Sequence, residues 1–402
     1  MRVVERKYLL PFILVTSLFA LWGLANNMTD TLLAAFRKIM QMSDLQTSFI
    51  QMAFYGAYFF IALPAALFIR KRSYKSGVIL GLVLYAAGAI MFLPAAKIES
   101  YAIYLIAIYI LASGCSVLET TANPYIMSMG SPETATRRLN IAQSFNPIGS
   151  ILGILVSKYF ILQDISLYSV SGTYAVVGVV LLAIMVVMLF AKMPEGKETA
   201  NQDSMRAIFQ RLAKNKRYIW GVVTQFFYVG AQIGVWSFTI RLVMKELGYV
   251  EAQAATIYLI SIIGFCFSRF VYTWLMKYFT PQRLLAIGAV LSTFCAMIVV
   301  FAGGWGAVIA LVLISVFMSL MFPTIYGIAL GSVAQSEHKE DTKIGACGLI
   351  MAILGGALLT PVQGMVSDAT GSINVSYIVP LVCFVVVLFY ALLVSKRLKP
   401  QS

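Results

Sequence analysis

Two carboxylates, Asp30 and Glu119, sit where the sequence offers almost no other charge. Fourteen of the sixteen acidic residues fall in polar connections or near the ends of apolar runs, counting Asp368 at the outer end of one; these two fall inside. A carboxylate in a low-dielectric surround must carry a proton or face a polar cavity, and both are costly without a use. An ion pair would be the structural alternative, but the apolar runs of the N-terminal half contain no Lys or Arg to supply one. The chemistry these two residues offer is reversible protonation.

Amides gather on the same helical faces. In Asn26-Asn27-Met28-Thr29-Asp30 the two asparagines precede Asp30 by four and three residues, which places all three on one side of a helix. Glu119-Thr120-Thr121-Ala122-Asn123-Pro124 repeats the arrangement, with Asn123 four residues after Glu119. Asn140, Gln143 and Asn146 follow at three-residue steps, just before Pro147. Such a wall supplies donors and acceptors together and no fixed cation, which suits a neutral polyhydroxyl ligand better than an anion. The alternative use of such amides is as interhelical hydrogen-bond glue.

The second half of the chain is less acidic and more aromatic. Gln225, Tyr228 and Gln232 keep helical spacing, with Trp236 one turn further on, so a polar edge and aromatic faces stand on one side. Aromatic rings can stack on the apolar face of a sugar ring, or simply fill a core. Arg269 is the one cation inside an apolar run. It is read either as one half of an inner-gate ion pair or as an anchor to backbone carbonyls.

The elements that position these residues are membrane helices. Of 402 residues 60% are hydrophobic and 11% charged, against about 25% charged in ordinary soluble domains. A soluble chain could not hide that much apolar surface, whereas a bilayer removes the need. Charge-free stretches at 8–29, 45–69, 76–96, 100–118 (continuing to 132), 139–157, 165–191, 218–240, 252–268, 284–336, 344–367 and 369–395 mark the spans. The 284–336 run is too long for one helix, and Gly303-Gly304-Trp305-Gly306 offers a hairpin within it. Twelve transmembrane helices result. The basic N-terminus followed by an apolar run resembles a signal peptide, but the run is too long and lacks a small-x-small cleavage site, so it is read as retained span 1.

Counting Lys and Arg on alternate sides gives 23 against 6, which predicts both termini in the cytoplasm. The net +14 is therefore an orientation signal, not a nucleic-acid patch. The longest polar connection, 192–216, separates an N-terminal six-helix half (1–191) from a C-terminal one (217–402). This layout is that of a major facilitator transporter. Pro124 in span 4 is echoed by Pro323 in span 10, and Pro147 in span 5 by Pro361 in span 11. Each such proline frees a carbonyl that a neighbour or a wet cavity must satisfy. The five cysteines lie in apolar runs without a Cys-x-x-Cys pair, and the one histidine, His338, lies in a polar turn. Neither a disulfide nor a metal site is expected.

The segments Leu21-Trp22 to Asp30, Leu118 to Pro124 and Arg138 to Asn146 resemble the fucose:proton symporter family of the major facilitator superfamily. The similarity continues through Gln225–Gln232 and Thr360–Asp368 and covers roughly 8–395. The resemblance implies that Asp30 takes part in sugar recognition and proton coupling, and that Glu119 exchanges protons during the cycle. It implies sugar contacts from Gln143, Asn146 and Asn27. Two departures stand out. Phe322 occupies a position where the family pattern has a tyrosine, and the stretch 66–75 lacks the Asp of the superfamily's Gly-x-x-x-Asp-Arg motif, with Arg70 near its place.

The expectation is a proton-coupled sugar symporter, most simply for L-fucose or a related hexose, working by alternating access with one sugar site between the halves. Glucose, galactose and N-acetylglucosamine are alternative substrates within the family. Asp30 and Glu119 carry the proton; Asn26, Asn27, Asp30, Asn123, Gln143, Asn146, Gln225, Tyr228 and Gln232 bind sugar; Arg269 and Phe322 gate. The coupling ion is H⁺, no cofactor or metal is needed, and the expected form is a monomer in the bacterial inner membrane. A drug/H⁺ antiporter would want a more apolar cavity. A membrane enzyme would want acidic or histidine clusters at the membrane surface, and neither fits the amides. A non-transporting nutrient sensor has no added sensory domain in its favour.

Overall fold

The computed structural model describes residues 3–39, 41, 44–161, 166–193 and 203–395. Within them the side chains of Asn26 and of residues 29–38, 44–48, 51 and 158 are not described, so the positions expected of Asn26 and Asp30 lie outside the described residues. All described secondary structure is helical. Twelve helices are long and apolar enough to cross a membrane. In chain order spans 1 to 6 are Leu9–Ile39, Asp44–Lys71, Tyr74–Ile98, Tyr101–Ser128, Pro132–Ile161 and Leu167–Phe190. Spans 7 to 12 are Lys216–Leu247, Glu251–Leu275, Pro281–Phe301, Gly304–Ala334, Lys339–Thr370 and Ile373–Ser395.

Local sequence sets the ends. Ser73, Ser166, Asn215, Thr280 and Ser372 each accept a backbone N–H in the first turn of the helix that follows. Gly248 and Gly371 end spans 7 and 11 in the left-handed conformation, with φ of 65° and 62°. The predicted hairpin divides the 284–336 run where expected: span 9 stops at Phe301, and Gly304 turns the chain with φ 59° while its N–H donates to the Glu246 carboxylate. The polar connection carries a short helix, Met205–Lys214, whose Ile208 and Leu212 are buried one turn apart. Arg70, at the end of span 2, donates to the Asp203 carbonyl at 2.8 Å and so ties the start of this connection to the bundle.

Several spans are interrupted. Span 5 breaks at Ser144–Phe145, span 10 at Ser319–Leu320, and span 11 tightens to a 3₁₀ turn at Ala352–Leu354. Pro147 and Pro323 each lie just beyond a break, in the first turn of the resumed helix, whereas Pro124 and Pro361 lie inside unbroken helix. By contacts the chain forms two compact units that do not follow the sequence halves strictly. One holds Met1–Arg138, Phe145–Ile208 and Glu337–Met351; the other holds Leu139–Ser144, Phe209–Ser336 and Ala352–Ser402. Spans 5 and 11 thus change units close to their own breaks.

Packing shows the internal repeat more sharply than the prolines do. Gly149 of span 5 lies against the Ala20 carbonyl of span 1 so closely that a Cβ would fall 1.7 Å from it. Gly355 of span 11 meets the Phe226 carbonyl of span 7 in the same way, at 1.9 Å. Both partners of the second pair lie 206 positions after those of the first. Only glycine permits such backbone approach, so the span 1–span 5 and span 7–span 11 contacts are counterparts.

Candidate functional site

Span 4 brings Glu119 into the interior of the first unit, with 8% of its surface exposed. Among the described residues its hydrogen-bond partner is Tyr58 of span 2, whose hydroxyl donates to Oε1 at 3.3 Å. No cation pairs with it there. Asn123, one turn on, is fully buried. Asn27 of span 1 is half-buried and its Nδ2 donates to the Gly23 carbonyl at 3.2 Å. Asn146 is half-buried and donates to the Phe19 carbonyl at 3.2 Å, so its amide nitrogen fastens the resumed part of span 5 to span 1.

The second unit contains Gln143, buried at the end of the first part of span 5. Beside it, Asn140 Nδ2 and Thr324 Oγ1 of span 10 lie 3.3 Å apart, and Ser144 Oγ lies 3.4 Å from Thr273 Oγ1 of span 8. Gln225 is fully buried, and among the described residues neither amide atom has a hydrogen-bond partner. Gln232 is half-buried. Tyr228 is buried, its hydroxyl donating to the Met318 carbonyl at 3.1 Å, and Phe322 leans against it with ring centres 6.4 Å apart. Trp236 donates to Ser315 Oγ at 3.2 Å. The aromatic face read from span 7 is therefore fastened to span 10 by its polar atoms.

Arg269 answers the choice left open by the sequence. Its Nε donates to the Ser319 carbonyl at 2.7 Å, its Nη1 to the Gln143 carbonyl at 2.9 Å, and its guanidinium lies over Phe265, 4.6 Å from the ring centre. No carboxylate pairs with it among the described residues, so it is the anchor to carbonyls rather than one half of an ion pair. The two carbonyls have a common origin. Proline at position i cannot donate to the carbonyl at i−4, and the residues four before Pro147 and Pro323 are Gln143 and Ser319. One guanidinium caps both proline-orphaned carbonyls, a job suited to its rigid fork of donors.

Sequence reasoning missed Tyr58, Thr324 and Thr273. Nothing in Phe54-Tyr55-Gly56-Ala57-Tyr58-Phe59-Phe60 separates the tyrosine that reaches Glu119 from its neighbours. His338 is less isolated than its turn suggested. Its Nδ1 lies 3.3 Å from Glu340 Oε1, and with Asp203 these ligand atoms fall within 4.8 Å of one another. That spacing would admit a cation, although the His338–Glu340 contact is equally an ordinary polar pair on a partly exposed turn.

With the geometry in hand, similarity to known proteins fixes the family. Residues 12–341 match the Major Facilitator Superfamily. The L-fucose-proton symporter of Haemophilus influenzae is 41% identical over 431 aligned residues, covering 99% of each chain. The chain belongs to the fucose:proton symporter family of this superfamily. A crystal structure of the family's FucP in the outward conformation superposes with a TM-score of 0.88 at 36% identity, covering 96% of this chain and 99% of that one. The glucose/galactose transporter of Brucella abortus is 30% identical, over 98% of this chain and 96% of its own. As in other members of the superfamily, the chain is a multi-pass membrane transporter, and the twelve-span fold expected from the sequence stands.

Proposed function

We propose that this transporter carries a neutral monosaccharide, L-fucose or a related hexose, into the cell together with a proton, by alternating access across the bacterial cytoplasmic membrane with both termini inside. It is a transporter and not an enzyme, and the coupling proton is the only accessory species in this reading. The observation that carries it is Glu119: a carboxylate buried in a long apolar helix, held by one hydroxyl and by no cation among the described residues. With no described partner to neutralise it, such a group carries a proton when closed off from water and gives it up when water reaches it. The half-buried amides of Asn27 and Asn146, the interior amides of Asn123, Gln143 and Gln225, and Asp30 are the polar complement for sugar hydroxyls. They offer donors and acceptors without a net charge other than that of the two carboxylates.

Energetics make the coupling worthwhile. A proton moving inward through ~100 mV releases ~2.3 kcal/mol, which supports roughly fifty-fold accumulation of a neutral solute. The 41% identity to an L-fucose-proton symporter favours L-fucose. A second sugar reading rests on Phe322 and on the 30% identity to a glucose/galactose transporter. Phe322 presents a ring and no hydroxyl beside Tyr228, which removes one polar contact a fucose site would use. Counterflow of labelled L-fucose against unlabelled L-fucose, glucose, galactose and N-acetylglucosamine separates these readings.

The functional test uses Glu119→Gln in reconstituted vesicles. The expected result is loss of uphill accumulation with counterflow retained, because exchange of sugar needs no net proton release. Wild-type accumulation by Glu119→Gln would remove the coupling role.

A further inference from the structure

The buried tyrosine beside the carboxylate is more than packing. Tyr58 is 2% exposed, its ring is set against Phe54 one turn earlier at 5.6 Å, and its carbonyl accepts from Ser116 Oγ at 3.4 Å. Ser116 precedes Glu119 by three residues and shares its helical face, so span 2 and span 4 are fastened one turn from the carboxylate. The hydroxyl lies between the Glu119 carboxylate and the Cys115 thiol. It reaches Oε1 and leaves Oε2 unoccupied by any described residue.

We propose that Tyr58 is the positioning residue of the proton-coupling step: it holds Glu119 Oε1 and stabilises the carboxylate after the proton has left Oε2. The proposal rests on the coupling role assigned to Glu119 above. The balance is simple. Protonated Glu119 carries its proton on Oε2 while the carbonyl-like Oε1 accepts from Tyr58. On release the proton passes from Oε2 to water, the charge spreads over both oxygens, and the Tyr58 bond becomes charge-assisted and stronger. Tyr58 keeps its own proton throughout. A donor that binds the anion more tightly than the acid favours the anion, which is what a buried carboxylate needs at the release step.

The other titratable and charged groups around this point are few. Cys115, one turn before Glu119 on the same helix, is buried and interacts with both Glu119 and Tyr58; Tyr85 of span 3 interacts with Cys115 and Tyr58. From the first part of span 11, which packs on spans 2 and 4, Lys343 lies over Tyr74 at 4.8 Å, and Tyr74 stacks on Tyr125 near the far end of span 4. The span 1 side chains at 29–38 lie outside the described residues. Tyr58 is thus the described group that donates to the carboxylate directly.

The test compares wild type, Tyr58→Phe and Glu119→Gln in proteoliposomes, with L-fucose as the sugar. Tyr58→Phe keeps the ring and removes the donor, so counterflow should stay within about two-fold of wild type. The pH midpoint of sugar-driven proton uptake should move up by about one unit, the equivalent of one hydrogen bond to a charged group. As a second readout, the infrared carboxyl band that disappears in Glu119→Gln should shift in Tyr58→Phe, because its carbonyl loses a donor. If Glu119→Gln is uncoupled but Tyr58→Phe keeps the wild-type midpoint and band, the Tyr58 role is wrong and the coupling reading survives. A Tyr58→Phe protein that loses counterflow and accumulation together, with the infrared carboxyl band unshifted, also overturns it, since that is the mark of a packing role. If Glu119→Gln still accumulates L-fucose, the coupling reading falls and Tyr58 falls with it.

Discussion

Glu119 and Arg269 each sit in the middle of a long apolar helix, yet their surroundings treat them in opposite ways. Arg269 is held at three points: two carbonyls at 2.7 and 2.9 Å, and an aromatic ring under the guanidinium. Among the described residues Glu119 has one hydroxyl, at 3.3 Å on Oε1, and no partner on its other oxygen. A buried charge that only holds the fold gains from several fixed partners, because every unmet donor or acceptor there costs free energy in every state of the protein. A charge that works must be left incomplete, since the proton it exchanges needs a place to go. Residual bonding capacity, more than burial, separates a working group from a structural one here.

That contrast can be broken by substitution. The largest effect belongs to Arg269→Leu, which removes the guanidinium donors from the Gln143 and Ser319 carbonyls. The protein should lose about 3–5 kcal/mol of stability, read as a fall in detergent melting temperature and in folded yield. Next comes Glu119→Gln, where stability should change by less than about 1 kcal/mol while uphill uptake disappears; a large loss of stability would mean that Glu119 is structural after all. Arg269→Lys keeps the charge but not the fork. It can satisfy one of the two carbonyls well, so a loss of about 1–3 kcal/mol is expected, between wild type and Arg269→Leu in the same melting assay. The smallest effect is that of Asn140→Ala, which removes the amide–hydroxyl contacts to Thr324, at 3.3 and 3.4 Å, and should cost about 0.6 kcal/mol.

The sequence was informative where physics leaves a mark in residue type. Twelve spans, the Gly303–Gly304 hairpin and the exceptional position of Glu119 follow from where charge is absent. The prolines announced orphaned carbonyls, but they could not say what would satisfy them. Arg269 does so through backbone oxygens, and a backbone oxygen has no letter in the sequence. For the same reason the choice between ion pair and anchor stayed open until the carbonyls of Gln143 and Ser319 were placed. The proline echoes also gave a blurred repeat, at separations of 199 and 214, whereas Gly149–Ala20 and Gly355–Phe226 repeat at 206. Close backbone approach marks the register, and only a packed structure shows which glycines make it. Tyr58 was hidden by its company, one aromatic among several on span 2. Gln225, read as a ligand from its spacing, is fully buried, and its amide has no partner among the described residues. Its hydrogen-bonding capacity is intact, but burial of that kind has no periodicity to reveal it.

The central claim is that sugar and proton move together through Glu119. The most direct measurement is the external pH of a lightly buffered, de-energised suspension of cells expressing the protein, after L-fucose is added. Wild type should alkalinise the medium as sugar enters, and Glu119→Gln should bind and exchange sugar with no pH change. Entry of L-fucose through the wild-type protein without alkalinisation, or alkalinisation that persists in Glu119→Gln, would contradict the account.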